Sequence, residues 1–154
     1  MSINKYYFLA KRTLFPLNRS LTGKGIKNTL KIIKKEFPKL KIKKIKSGTQ
    51  VFDWRIPQEW NISDAFIIDK NGNKIIDFKK NNLHVVGYSQ PINKTLSRDN
   101  LLNNLFTIKK QPNAIPYITS YYKKRWGFCI TFNQFKKLKN KYKKSDKFKV
   151  VIKS

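Results

Sequence analysis

AFIIDKNGNKIIDF, Ala65 to Phe78, is the stretch that decides the fold class. Two apolar runs, AFIID and KIIDF, flank Lys70-Asn71-Gly72-Asn73, and Asn-Gly favours the positive φ of a tight turn, so the stretch predicts an antiparallel β-hairpin. Other short strands are expected around it. Leu40 and Ile42 alternate with lysines as a half-buried strand does, and Val51 to Trp54 follows the Ser47-Gly48 turn. Further strands are read at Leu83 to Ser89, Tyr117 to Tyr122, Gly127 to Thr131 and Phe148 to Ile152, with the middle two flanking a basic turn. Ser97 is expected to cap a short helix through about Phe106 and Thr131 one reaching Leu138, while Pro112 and Pro116 bracket a loop. The lysine-rich KKLKNKYKKSDK, Lys136 to Lys147, reads as a solvated face or loop.

Toward the N-terminus the apolar period changes from two to between three and four. Ile3, Tyr6, Tyr7, Ala10 and Leu14 form a helical stripe that Pro16 ends. A second stripe, Ile26, Leu30, Ile33 and Phe37, opens near Thr22 with Lys24, Lys27, Lys31 and Lys34 turned to water, and Pro38 stops it. The expectation is an α+β protein: an N-terminal helical hairpin over 1–38, then a mostly antiparallel β domain with short helices over 39–154.

The 154 residues carry 35 Lys and Arg against 8 Asp and Glu, a formal charge of +27. Such a charge suits a polyanion such as nucleic acid. However, there are 30 lysines but 5 arginines, with 15 asparagines and 18 isoleucines, which is the residue usage of AT-rich codons. A dedicated nucleic-acid binder more often uses arginine, whose planar fork grips phosphate at two points. Nucleic acid is therefore expected only as a non-specific electrostatic partner. A single Cys129 and a single His84 exclude a disulfide framework and a Cys/His zinc module. No apolar run approaches the ~20 residues of a membrane helix and the N-terminus has no signal-peptide h-region, so no membrane partner and a cytoplasmic location are expected.

The chemistry-bearing groups are few. SLTGKG, Ser20 to Gly25, lacks the first glycine of a phosphate loop and has Gly25 where a magnesium-binding hydroxyl belongs, so it reads as a tightly packed helix N-cap. His84 reads as a strand histidine bonded to a neighbour, and Cys129 as a small buried hydrophobe. Asp53, Glu59 and Asp64 could pair as carboxylates, but their spacing across Pro57 fixes no common face. In SGTQVFDWRIPQEWNISDAF, Ser47 to Phe66, Asp53-Trp54 and Glu59-Trp60 each set an acid beside an indole that either fills a core or lines a cleft. TSYYKKRWGFC, Thr119 to Cys129, interleaves Tyr121, Tyr122 and Trp126 with Lys123, Lys124 and Arg125. It could stack unpaired bases or form a hairpin with rings on one side.

Four passages carry a resemblance: FPLNRSLTGKG from Phe15, SGTQVFDWRIPQEWNISDAFI from Ser47, NLHVVGYSQPI from Asn82 and YITSYYKKRWGFCI from Tyr117. From about Arg12 to Ser154 the chain resembles the N-terminal part of bacterial proteins with an aminopeptidase-like domain, found among polysaccharide-biosynthesis genes and related to di-zinc aminopeptidases. The resemblance implies that the opening helices belong to an incomplete peptidase core and that the β-rich segment is inserted into it. The family's metal-binding segment follows after Ser154. Hence the chain itself is expected to have no catalytic or metal residues and no cofactor, with zinc only in the complete protein. Candidate cleft-lining residues are Asp53, Trp54, Glu59, Trp60, Tyr121, Tyr122 and Trp126. The expected partner is a separate chain carrying the peptidase core, or a second copy. The rival expectation is a small basic nucleic-acid-binding protein that uses the Tyr121 to Trp126 aromatics.

Overall fold

The computed structural model describes residues 3–154, which form two compact units dividing between Asn61 and Ile62. Residues 39–61, grouped from sequence with the β-rich part, thus lie with the helices.

In the first unit, α1 (Ile3–Leu9) runs into a π-helical turn, Ala10–Leu14, closed by the Phe15 N–H on the Ala10 carbonyl at 2.9 Å. α2 (Lys24–Glu36) ends before Pro38, as its apolar stripe predicts. The two helices meet through Tyr6 stacked on Phe37, with ring centroids 5.8 Å apart, and through the Lys5–Glu36 ion pair. The SLTGKG segment is indeed a helix start. Gly23, at φ 92°, is the N-cap, and the Asn61 side chain accepts the Lys24 N–H at 2.7 Å. A Cβ on Gly25 would lie 1.7 Å from the Asn18 carbonyl oxygen, so only glycine fits there.

Two strand expectations change in this unit. Residues 40–46 form no strand, because the apolar positions slip from Ile42 to Ile45, a step of three, and no neighbour pairs with them. Val51 to Trp54 is not one strand but two ends of a hairpin, β1 (Gln50–Val51) and β2 (Trp54–Arg55), turning at Phe52-Asp53. Phe52 takes φ 51°, and the Gln50 side-chain amide donates to its carbonyl at 2.8 Å.

The second unit is built on a four-stranded antiparallel sheet in the order β4-β3-β8-β5: β3 (Asp64–Ile68), β4 (Lys74–Asp77), β5 (Ile92–Ser97) and β8 (Lys147–Lys153). The β3–β4 hairpin turns where Asn71-Gly72 places it, with Gly72 at φ 83°. β5 was not evident from INKTLS, whose exposed residues hide the alternation. Ala65 and Ile67 on β3, Phe148, Val150 and Ile152 on β8, and Ile92 on β5 all bury on one face. That face is covered by α3 (Arg98–Leu102), capped by the Ser97 hydroxyl, and by α4 (Phe132–Lys141), opened by a Thr131/Gln134 capping box. The lysines of Lys136 to Lys147 do form a solvated face, but the segment also contributes Leu138 and Tyr142 to the core. Arg98 donates to the Lys139 and Tyr142 carbonyls at 3.0 and 2.7 Å, placing a cation at the α4 C-terminus.

Leu83 to Ser89 begins as a 3₁₀ turn, Asn82–His84, and pairs only through isolated bridges. The expected Tyr117–Thr131 hairpin is absent. Instead β7 (Phe128–Cys129) runs parallel to β6 (Leu105–Phe106), a contact that Gly127 permits. Among the described residues no helix is long and apolar enough to cross a membrane.

The hairpin is tied to α4 by one buried carboxylate. Asp69 accepts the Asn71 and Asn73 N–H groups at 2.9 Å each and the Tyr142 hydroxyl at 2.8 Å. Burial works to raise its pKa, but the Tyr142, Asn73 and Asn71 hydrogen bonds outweigh it and hold the carboxyl below its usual value. Burial and then Asp69 push the Tyr142 phenol up to about 12. A depressed acid stabilises the fold above its unfolded pKa of 3.8, and that contribution disappears as pH falls through the folded value. A raised phenol stabilises below 10.0, and its contribution disappears as pH rises through about 12. Asp69→Ala is expected to cost about 2–3 kcal/mol, since it strands a buried hydroxyl and two turn N–H groups. Urea denaturation across pH should show a flatter acid limb in Asp69→Asn and a flatter alkaline limb in Tyr142→Phe. Limbs matching the parent would remove Asp69–Tyr142 as their source.

Candidate functional site

The second unit brings two of the motif passages together. The Gly87 N–H donates to the Ile118 carbonyl at 2.8 Å, the Ser120 N–H to Gly87 at 2.9 Å, the Val86 N–H to Gly127 at 3.1 Å and the Gln90 N–H to Arg125 at 2.9 Å. The buried Ser89 hydroxyl accepts the Gly127 N–H at 3.3 Å and donates to Val86 at 2.6 Å. NLHVVGYSQPI and YITSYYKKRWGFCI are thus two sides of one hydrogen-bonded assembly.

At its centre Tyr88 is buried in the left-handed region, φ 64°, a conformation costly for a residue with a Cβ. Its ring meets Tyr121 edge-on at 5.0 Å. Tyr117, 66 % exposed, interacts with both rings, and Tyr122, next to Tyr121 in the chain, is 64 % exposed; these tyrosines with Arg125 make up a platform. Burial of its phenol end, reinforced by Tyr121 and Tyr88, pushes the Tyr117 pKa up. Arg125 donates to the Thr119 carbonyl at 2.9 Å and lies 5.4 Å from the Phe106 ring centre, while its Nε is buried without a hydrogen-bond partner. The segment 120–125 folds on itself, the Ser120 hydroxyl donating to the Lys123 carbonyl, which is why it makes no hairpin.

His84 Nδ1–H donates to the Cys129 carbonyl at 2.8 Å, as expected of a histidine satisfied by a neighbour. The Cys129 thiol is buried, and burial pushes its pKa up to about 11, far from thiolate chemistry at neutral pH. Among the described residues no three His, Cys, Asp or Glu side chains gather as metal ligands. The surface can stack rings and donate hydrogen bonds. It presents no activated nucleophile.

Residues 59–154, more than half of the chain, match a domain of unknown function, DUF2172. The chain belongs to the DUF2172 family. It is 50% identical over 141 residues to a Clostridium acetobutylicum protein named as a polysaccharide biosynthesis protein with aminopeptidase-like domain, covering 92% of this chain and 31% of that protein. A crystal structure of a C. acetobutylicum protein titled a peptidase matches with TM-score 0.81 and 46% identity, over 98% of this chain and 37% of the other. This DUF2172 chain therefore spans about a third of the length of the relatives it matches.

Of the seven residues singled out from sequence, Tyr121, Tyr122 and Trp126 lie on the platform segment. Asp53, Trp54, Glu59 and Trp60 lie in the first unit. There Glu59 pairs with Lys27 at 2.9 Å, a hydrogen bond that lowers its pKa, and the Trp60 N–H donates to the Thr22 hydroxyl at 3.0 Å. Asp53 and Trp54 are exposed on the β1–β2 hairpin. Asp64 pairs instead with Lys79 at 3.4 Å. Tyr88 and Tyr117 were not singled out from sequence, and Arg125 was noted only as one of the bases among the Thr119 to Cys129 aromatics. Gly87-Tyr88-Ser89 carried a turn signal, which the apolar run before it obscured.

The tryptophans separate by burial. Trp126 packs against the core, whereas Trp54 is 40% exposed. Trp126→Ala is expected to cost about 2–4 kcal/mol, and Trp54→Ala about 1 kcal/mol or less. Chemical denaturation of the two variants checks this, and equal losses would contradict the assigned burial.

Proposed function

We propose that this chain is a non-catalytic front piece of an aminopeptidase-like protein, its β-rich unit shaping or covering the active-site cleft of the complete protein. The observation that carries this reading is the division of burial. Apart from Pro57, every buried aliphatic or aromatic side chain among the described residues belongs to the second unit. The first unit leaves Tyr7, Phe8, Phe15, Leu21, Phe37, Ile45 and Phe52 exposed. Apolar residues in such number call for a covering surface. A polypeptide carrying the remaining two-thirds of the relatives' length would supply it, together with the zinc ligands. The tyrosine and arginine platform would then line the cleft, holding peptide by ring contacts.

Nucleic acid is the second reading, supported by five exposed lysines, Lys39, Lys41, Lys43, Lys44 and Lys46, in the segment 39–46, which forms neither helix nor strand. A salt titration separates the two, since phosphate binding weakens steeply with ionic strength.

Mixing the chain with the rest of the C. acetobutylicum relative, expressed separately, tests the proposal. A one-to-one complex in sedimentation, with zinc and aminopeptidase activity in the complex and neither in the chain alone, is expected. One or two zinc ions held tightly by the chain alone, or a monomer that forms no complex, would contradict it.

A further inference from the structure

Away from the platform, the second unit holds a cavity of about 280 Å³ between the β3–β4 hairpin and α4. Its floor is apolar: Ile75 and Ile76 from β4, Ile130, and Leu138 from α4. Its rim is a line of polar side chains along α4, with Gln134, Lys137 and Lys141 separated by three and four residues and so on one side of the helix. Gln134 gives its side-chain oxygen to the Thr131 N–H, which leaves its amide hydrogens as donors. Tyr142 closes one end with its ring alone, because its hydroxyl is committed to Asp69.

Charge decides the occupant. Neither Lys137 nor Lys141 enters an ion pair among the described residues, and the Lys141 ammonium lies 5.1 Å from the Tyr142 ring centre. The nearby Asp69 carboxylate is taken up by the turn N–H groups and Tyr142. An apolar floor beneath two cations without a counter-charge complements an amphiphilic anion. The volume lies just under the roughly 300–1,000 Å³ of ordinary small-molecule sites, which limits the apolar part to one branched chain or ring. We propose that this cavity binds a small carboxylic acid with a branched or aromatic body, the body on the isoleucine floor and the carboxylate between Lys137 and Lys141.

The test is a titration of the full 154-residue chain with 4-methylvalerate, its neutral amide and acetate, followed by methyl NMR of Ile75, Ile76, Ile130 and Leu138. Saturable shifts are expected for the acid, binding at least ten-fold weaker for the amide, and none for acetate at the same concentration. Lys137→Gln with Lys141→Gln, both at exposed positions, should bring the acid down to the level of the amide without altering amide binding. Equal affinity for acid and amide, equal shifts with acetate, an unaffected double variant, or no shift at these four residues would overturn the proposal.

Discussion

The second unit depends on the placement of β8 between β3 and β5. Because side chains alternate across a strand, pairing Ala65 with Ile152 and Ile67 with Val150 puts the apolar set of both strands on one face, and Ile92 opposite Ile152 extends it to β5. A slip of one residue would carry Phe148, Val150 and Ile152 to the other face and bring Lys149 and Lys153 inside. The helices follow from that register. Leu138 on α4 and Tyr142 at its C-cap land on the face it creates, and the Tyr142 ring meets Phe148 edge-on at 4.9 Å. Asp69 then ties the hairpin turn to the same tyrosine. The platform is a further consequence: Phe128 and Ile130 are buried in this core, and the backbone leading into them presents Arg125 and Trp126.

The first unit obeys different physics. It is held by a ring stack, ion pairs, a glycine N-cap and a two-residue hairpin. Such interactions are individually worth little when exposed, and ion pairs at the surface typically contribute about 0–1 kcal/mol. What a domain of this size normally relies on is apolar burial, about 25 cal/mol per Å², and here the large apolar side chains are exposed or at best half-buried. A chain matching a third of its relatives' length, with one self-sufficient core and one unit lacking its own, is what a division of labour between this segment and the remainder would produce.

Local chemistry was the readable part of the sequence. Asn71-Gly72, Ser97 and Thr131 each act within a few residues of themselves, so the turn and the two caps stand where they were expected. Non-local pairing was not readable. INKTLS becomes a strand only because β8 lies beside it, and Leu105–Phe106 meets Phe128–Cys129 in parallel although neither segment announces a partner. Leu138 and Tyr142 were concealed among lysines whose charges dominate the pattern. For the site, the aromatic and basic composition of Tyr121 to Trp126 was visible, but the union with Gly87-Tyr88-Ser89 depends on backbone hydrogen bonds between segments some thirty residues apart. The Trp54 segment resembled the Trp126 segment in composition and differs from it in burial, a property no single sequence states.

Residue-resolved native-state hydrogen exchange on the 154-residue chain tests the central claim most directly, since it reads the stability of each unit separately. The N–H groups of β3 and β8 and of Val86 and Phe128 are expected to exchange only through global opening, whereas those of α1 and α2 exchange by local opening many orders of magnitude faster. Uniform slow exchange from Ile3 to Ile152 in a monomer would show that the first unit needs no covering partner, and would contradict the reading of this chain as part of a larger fold.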